Sequence, residues 1–192
     1  MDFHHIPVLL RETVDALQVQ SGGVYVDCTA GGGGHSAAIL EQLTDGTLVD
    51  IDRDPQAIER LTARFAGDGR VRIVQSNYSE IEAVLSSLGI SGADGILADL
   101  GVSSHQLDTA ERGFSFHADA PLDMRMDMCG QTAADVVNTY DKNRLQKILY
   151  TYGEEKYAPA IASAIVRRRE TKPIETTLEL AELVKSAVPA AA

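Results

Sequence analysis

The feature that most constrains this chain of 192 residues is an alternation of short β-rich runs with helix-period segments through its first half. The runs are predicted at Val24–Cys28, Thr47–Asp52, Val71–Gln75 and Gly95–Leu100, with helices at Ser36–Leu43, Pro55–Phe65 and Ser79–Leu88. Within the second helix Ile58, Leu61 and Phe65 recur at helical spacing and define one buried face. Asp54 stands as its N-cap and Pro55 in its first turn, where a missing N–H is tolerated. Strand, helix and strand repeated in this way predict βαβ units, and hence an α/β fold with a parallel sheet and right-handed crossovers.

After Leu100 the pattern changes. Residues Gly101–Gly130 are rich in Gly, Ser, Asp and Met and hold no sustained period, which places a domain boundary near residues 105–130. From Thr132 the chain reads as helix only: Thr132–Thr139, Asp141–Tyr152, Glu154–Arg169 and Thr176–Val188. In the third of these Tyr157, Ile161 and Ile165 form a stripe, flanked by Ala158, Ala162 and Val166. No internal repeat occurs, and only Ala190–Ala192 hints at low complexity.

A hydrophobic content of 44% with 23% charged residues fits a globular domain rather than a disordered one. No apolar run approaches the roughly 18 residues of a membrane span, and the opening MDFHHIPVLLRETV lacks a signal peptide's apolar stretch. Cys28 and Cys129 form no redox or metal pattern, and the five histidines do not recur at ligand spacing. No metal site is therefore expected, and a reducing, cytoplasmic location is. The net charge of −11 argues against a nucleic-acid partner, but it is uneven. Between Asp141 and Lys172 eight basic residues stand against four acids, a local +4, and the remainder carries −15. Such a segment reads either as an RNA-contacting module or as a solvated helix face.

The strongest local signal is VYVDCTAGGGGHS, residues 24–36, in which a β-run ends in Asp27 and a glycine-rich turn opens a helix. Glycines there let backbone N–H groups approach a ligand, and the helix N-terminus favours polar or anionic groups. As a dinucleotide fingerprint it is imperfect, because Ser36 stands where the third glycine belongs. Asp27 suits a cofactor with a cationic end, and the loop is read as a site for S-adenosylmethionine. Asp52, about twenty residues on at a strand terminus, can accept from both ribose hydroxyls or serve only as a cap. Asp50 lies on the same strand face. Asp99 ends the fourth β-run, at the sheet edge where open α/β folds bind ligands, and a long Ser- and Gly-bearing loop follows it.

DCTAGGGGHS, DIDRDPQA, DGILADLGVSSHQLDTAERGFSF and PLDMRMD together resemble the bacterial 16S rRNA (cytosine-N4)-methyltransferases, the RsmH or MraW family. The similarity runs from the HHIPVLLRE opening to the end of the chain. It implies a Rossmann-like class I methyltransferase domain, residues 1–110, with an inserted all-helical substrate-recognition domain, residues 111–192. It implies transfer of a methyl group from S-adenosylmethionine to N4 of a cytidine in the decoding centre of the small ribosomal subunit. Cofactor contacts would fall on Gly33, Gly34, His35, Asp52, Tyr78, Asp99 and Gln106. Without the resemblance, His35 is a plain helix-start residue, Tyr78 either an aromatic after the third β-run that could stack on an adenine or a half-buried tyrosine, and Gln106 unremarkable. The partner would be 16S rRNA, with no membrane involved; a homodimer stays an open alternative.

The exocyclic amine of cytosine is a poor nucleophile, so catalysis needs in-line placement and an acceptor for its proton. Asp99 is the candidate acceptor, and Arg167–Arg169 with Lys172 the candidates to hold RNA phosphates. Family members commonly carry a small residue at position 50 and proline at 105, where this chain has Asp50 and His105. They also continue through further strands, so the chain reads as truncated. The rival readings are a non-catalytic cofactor- or ribosome-binding fragment, a methyltransferase for a small molecule or protein, and an NAD-dependent oxidoreductase.

Overall fold

The computed structural model describes residues 9–189, and the chain divides into two compact units, Met1–Gly101 and Val102–Ala192. The first part of the HHIPVLLRE opening and the terminal Ala190–Ala192 lie outside the described residues.

In the first unit, helix α1 (Leu10–Leu17) precedes β1 (Val24–Asp27), α2 (Gly34–Leu40), β2 (Thr47–Asp52), α3 (Pro55–Arg64), β3 (Val71–Gln75), α4 (Ile81–Ser87) and β4 (Gly95–Leu97). The strands form a four-stranded parallel sheet in the order β3-β2-β1-β4, the α/β architecture that the alternation predicts. Alternation along β1 and β2 sends Tyr25 and Leu48 to one face, against Ile39 and Leu40 of α2, while Val26, Val49 and Ile51 meet Val84 of α4 on the other. Both faces are thus apolar, as a parallel sheet requires. Asp54 caps α3 by accepting the Gln56 N–H at 3.0 Å, with Pro55 at the first position.

Two strands are shorter than the sequence predicts. β1 stops at Asp27, where the Thr29 N–H turns back to the Asp27 carboxylate at 3.1 Å. β4 stops at Leu97, so Asp99 lies two residues beyond the strand rather than at its end, and its N–H goes to the Thr29 hydroxyl at 2.7 Å. α2 starts earlier, at Gly34, because Gly33 takes the left-handed conformation (φ 74°) that sets the helix entry.

The second unit holds α5 (Ser104–Asp108), α6 (Ala133–Thr139), α7 (Lys142–Gly153), α8 (Ala158–Arg169) and α9 (Thr177–Ala187). Its core gathers Ile161, Ala162 and Ile165 of α8 with Leu122, Val137, Leu145 and Ile174. Each large side chain buried there contributes about 2 kcal/mol. The predicted helix Glu154–Arg169 begins only at Ala158. Glu154 ends α7 in a left-handed conformation (φ 50°), and Glu155 accepts the Tyr157 N–H at 2.7 Å to set the next start. The aperiodic stretch from Gly101 to Gly130 is also ordered by polar contacts. Arg112, 5% exposed, donates to the carbonyls of Arg125 and Met126, each at 2.9 Å.

Candidate cofactor site

In the order β3-β2-β1-β4 the direction of strand addition reverses between β1 and β4. Open α/β sheets bind ligands outside the carboxyl ends of the strands at such a reversal. Here the Cys28 N–H donates to the Leu97 carbonyl at 2.8 Å and the Asp99 N–H to the Thr29 hydroxyl. The glycine loop and the residues after β4 therefore meet at that edge.

The loop is built by hydrogen bonds from neighbouring strand ends. Asp27 accepts from Thr29 N and, at 3.2 Å, from the Ser36 hydroxyl. The Gly31 N–H donates to Asp52 Oδ2 at 2.8 Å, and Asp54 N to Asp52 Oδ1 at 2.9 Å. The Gly33 N–H closes a turn onto the Ala30 carbonyl at 2.7 Å, and Arg64 of α3 donates to the Gly32 carbonyl at 2.6 Å. The glycines differ in purpose. A Cβ on Gly33 would come within 2.9 Å of the Phe65 ring, so this glycine serves packing on α3 as well as its positive φ. A Cβ on Gly32 would meet nothing within 4 Å, which leaves that stretch of backbone open to a bound group.

The residues singled out from sequence fall into two sets. Gly33, Gly34 and His35 form the end of the loop and the first turn of α2, with His35 buried. Asp52 is half-buried at the end of β2, and both of its oxygens already brace backbone N–H groups. Its remaining lone pairs are available to hydroxyl donors. The Ser76 N–H donates to the Asp52 carbonyl at 3.0 Å, and Tyr78, 48% exposed, follows in the turn after β3. Asp99 has an exposed side chain. These belong to one unit and to one sheet edge. Gln106 belongs to the second unit, where it is buried and completes a capping box at the start of α5. Its side-chain oxygen accepts the Ser103 N–H at 3.0 Å, and its own N–H returns to the Ser103 hydroxyl at 3.2 Å.

Sequence reasoning missed three contributors. Thr29 joins Asp99 to the loop, Ser36 supplies a hydroxyl to Asp27, and Arg64 holds the Gly32 carbonyl. The Asp27-x-Thr29 spacing carried a legible signal, since an aspartate often accepts the N–H two residues on. Arg64 reaches its partner across thirty-two positions and carried none.

Electrostatically the edge is acidic, and Asp27 and Asp50 beneath the loop are shut off from solvent. Burial pushes Asp50 up to about 7, with repulsion from Asp27 adding to it, and Asp27 up to about 6, with repulsion from Asp52 and Asp99 adding to it. Burial also raises Asp52, against the lowering effect of its bonds from Asp54 and Gly31. Among the described residues no group of three or more His, Cys, Asp or Glu gathers as a metal site would require, and no helix is long and apolar enough to cross a membrane.

Three of the four cations that the sequence suggests for RNA phosphates are engaged in structure. Arg169 donates to the Val137 carbonyl at 2.7 Å, Arg168 to the Lys172 carbonyl at 2.7 Å, and Lys172 pairs with Glu179 at 2.7 Å. A second set is exposed on and beside α7. Lys142, Arg144 and Lys147 share the helix with Tyr150 (68% exposed) and Tyr152 (83%), and the Arg144 guanidinium lies 3.5 Å from the Tyr140 ring centre.

The sequence profile of the MraW methylase family matches residues 2–192. A curated relative from Symbiobacterium thermophilum, named ribosomal RNA small subunit methyltransferase H, is 51% identical over 195 residues, which is 100% of this chain and 61% of the relative. The protein of the same name from Carboxydothermus hydrogenoformans is 54% identical over 194 residues, covering 100% of this chain and 62% of its own length. The chain thus spans about three fifths of the curated relatives it matches. A solved rRNA methylase from Streptococcus thermophilus aligns with a TM-score of 0.35 at 19% identity over 41% of this chain and 45% of that one, too weak a likeness to carry any argument.

Proposed function

From the premise that this chain belongs to the MraW methylase family, we propose that its sheet unit binds S-adenosylmethionine. The protein would use it to methylate N4 of a cytidine in the 16S rRNA decoding centre of the small ribosomal subunit. The observation that carries the reading is the meeting of the Gly31–Gly34 loop, Asp52 and Asp99 at the reversal between β1 and β4. The residues present fit such a cofactor: Gly32 leaves space beside the backbone, and Asp52 keeps acceptor capacity for ribose hydroxyls. Gly33, Gly34 and His35 would hold its polar end, and Tyr78 would cover the adenine. When bound, the cofactor supplies an electrophilic methyl group on a sulfonium.

The chain's own residues orient and deprotonate. Asp99 is exposed past β4 with its backbone pinned to Thr29, so its carboxylate can accept a proton from an amine placed at this edge. The target base would have to leave its stack to arrive there. The exposed tyrosines and cations of α7 are of the kind that hold single-stranded RNA, by stacking and by phosphate neutralisation. Family membership and the basic, aromatic α7 support this reading over a small-molecule acceptor.

Calorimetric titration of the chain with S-adenosylmethionine tests the first step; no binding, or undiminished binding by Asp52→Ala, defeats it. Transfer of labelled methyl to small subunits lacking the modification tests the second. Asp99→Asn is expected to bind cofactor normally and lose at least about a hundredfold in rate. Full rate in Asp99→Asn removes its catalytic role. Normal binding with no transfer by the unaltered chain favours a cofactor-binding protein without turnover.

A further inference from the structure

Asp27 and Asp50 stand opposite each other in the register of β1 and β2. Alternation puts both on the face of the sheet that α2 covers. Neither is reached by solvent, at 1% and 0% exposed. Their hydrogen bonding is unequal. Asp27 is served by Thr29 N and by the Ser36 hydroxyl, whereas neither oxygen of Asp50 has a hydrogen-bond partner among the described residues. The Ser36 hydroxyl is close enough to favour a charge on Asp50 slightly, but it is already bonded to Asp27.

The surrounding groups do not supply the missing donor. β3 offers the apolar Ile73 in register with Asp50. β2 adds the negative Asp52, and Asp99 repels Asp27 from the β4 side. α2 brings Ser36 and the buried His35, and α3 brings Arg64, whose attraction ranks below burial and below the repulsion from Asp27. An ionised carboxylate without a donor is costly in such a place, and two facing carboxylates cost more. A neutral carboxyl avoids both penalties and is itself a donor.

We propose that Asp27 and Asp50 hold one proton between them in the folded protein near neutral pH. Asp50 is its principal carrier and a positioning residue that keeps Asp27 aligned beneath the glycine loop. The O–H stays on one carboxyl and points to the other, so the pair carries a single negative charge. Asp27 is then free to go on accepting from Thr29 and Ser36, the two bonds that shape the loop. The inference rests on the cofactor reading of that loop only for its effect on binding.

The direction of the pH dependence follows. Both folded values, about 6 and about 7, lie above the ordinary 3.8. The stabilisation is therefore complete below about pH 4 and is lost as pH rises through 6 to 7. Loss of the last proton leaves two facing charges, which strains the Thr29–Asp27–Ser36 contacts.

The test begins without cofactor. Carboxyl and amide resonances of the chain are followed between about pH 5 and pH 9, alongside Asp50→Asn. A protonated carboxyl should titrate near neutrality, and the Thr29 amide should shift with the same midpoint; in Asp50→Asn this upper step should vanish from both, leaving only the Asp27 step at or below about 6. Affinity for S-adenosylhomocysteine should fall roughly tenfold from about pH 6 to pH 8.5 and stay within about twofold in Asp50→Asn. Titration of Thr29 unchanged in Asp50→Asn, or a pH-independent wild type, overturns the proposal. If Asp50→Asn does not fold, Asp27→Asn must lower the Asp50 midpoint by removing its repulsive neighbour, and an unmoved midpoint overturns it equally. Intact titration with no S-adenosylhomocysteine binding at any pH defeats the cofactor reading and upholds the shared proton.

Discussion

The carboxylates of the two units are treated in opposite ways. At the sheet edge Asp27 and Asp50 are buried and Asp52 half-buried, and all three are held above the ordinary range, chiefly by loss of solvent. In the helical unit Asp123, Asp135 and Glu179 lie near the surface beside donors and are held below it; Lys172 first, then the Glu175 N–H, bring Glu179 to about 2. The contrast is local rather than a property of either chain half, since Asp68 of the first unit, bonded to Arg70 on a surface turn, also falls to about 2. Acids on helix starts and turns stabilise structure by accepting nearby N–H groups. Acids packed beneath the glycine loop are costly to the fold, and their use is to shape a site.

The sharpest way to break this comparison is at the loop's tightest point. Gly33→Ala places a methyl 2.9 Å from the Phe65 ring in a left-handed conformation, with an expected loss of about 3 kcal/mol in denaturant unfolding. A loss under about 1 kcal/mol would mean the loop is not packed on α3 as described. In the helical unit the matching blow is Arg112→Met, which leaves the Arg125 and Met126 carbonyls without their donor and should cost about 2 kcal/mol. If the second unit melts separately, only its transition should move. Thr29→Val removes the acceptor for the Asp99 N–H, at about 1 kcal/mol, and should weaken methyl transfer more than cofactor binding. Equal losses in both would place Thr29 in the cofactor site alone.

The smallest effect expected is that of Lys172→Ala at neutral pH, because the Glu179 pair is surface-exposed. Its use is in the pH profile. Glu179 sits below its ordinary 4.5, so its contribution is present above about 4.5 and lost as pH falls toward 2. Lys172→Ala should blunt that acid-side loss and leave the neutral-range behaviour of Asp27 and Asp50 unchanged. A shift in both limbs would abolish the distinction between the two sets of acids.

Much of the sheet was legible because short β-rich runs set between helix-period segments mark the strands of a parallel sheet. Thr47–Asp52 and Val71–Gln75 coincide with β2 and β3, and Asp54 with Pro55 marks the start of α3. The end of β4 was not legible, since the Asp99 N–H there goes to the hydroxyl of Thr29, 70 positions away. At the site, composition pointed to the loop, Asp52 and Asp99. It could not reveal that Asp52 already braces two backbone N–H groups, or that Gln106 is a capping residue of the second unit. The basic run Arg167–Arg169 read as a surface, yet Arg169 is committed to the Val137 carbonyl, a partner no local pattern announces.

By itself, then, the sequence determined the α/β alternation, the glycine loop between β1 and α2, and the families of residue types around it, because these follow from short-range periodicity and backbone freedom. Only the tertiary structure decided that β1 and β4 bring Thr29 to Asp99, and that Asp27 faces a buried Asp50 whose oxygens have no donor among the described residues. Those are long-range facts. They depend on strand order and solvent exclusion, and the same acids on a wet turn would ionise as ordinary carboxylates.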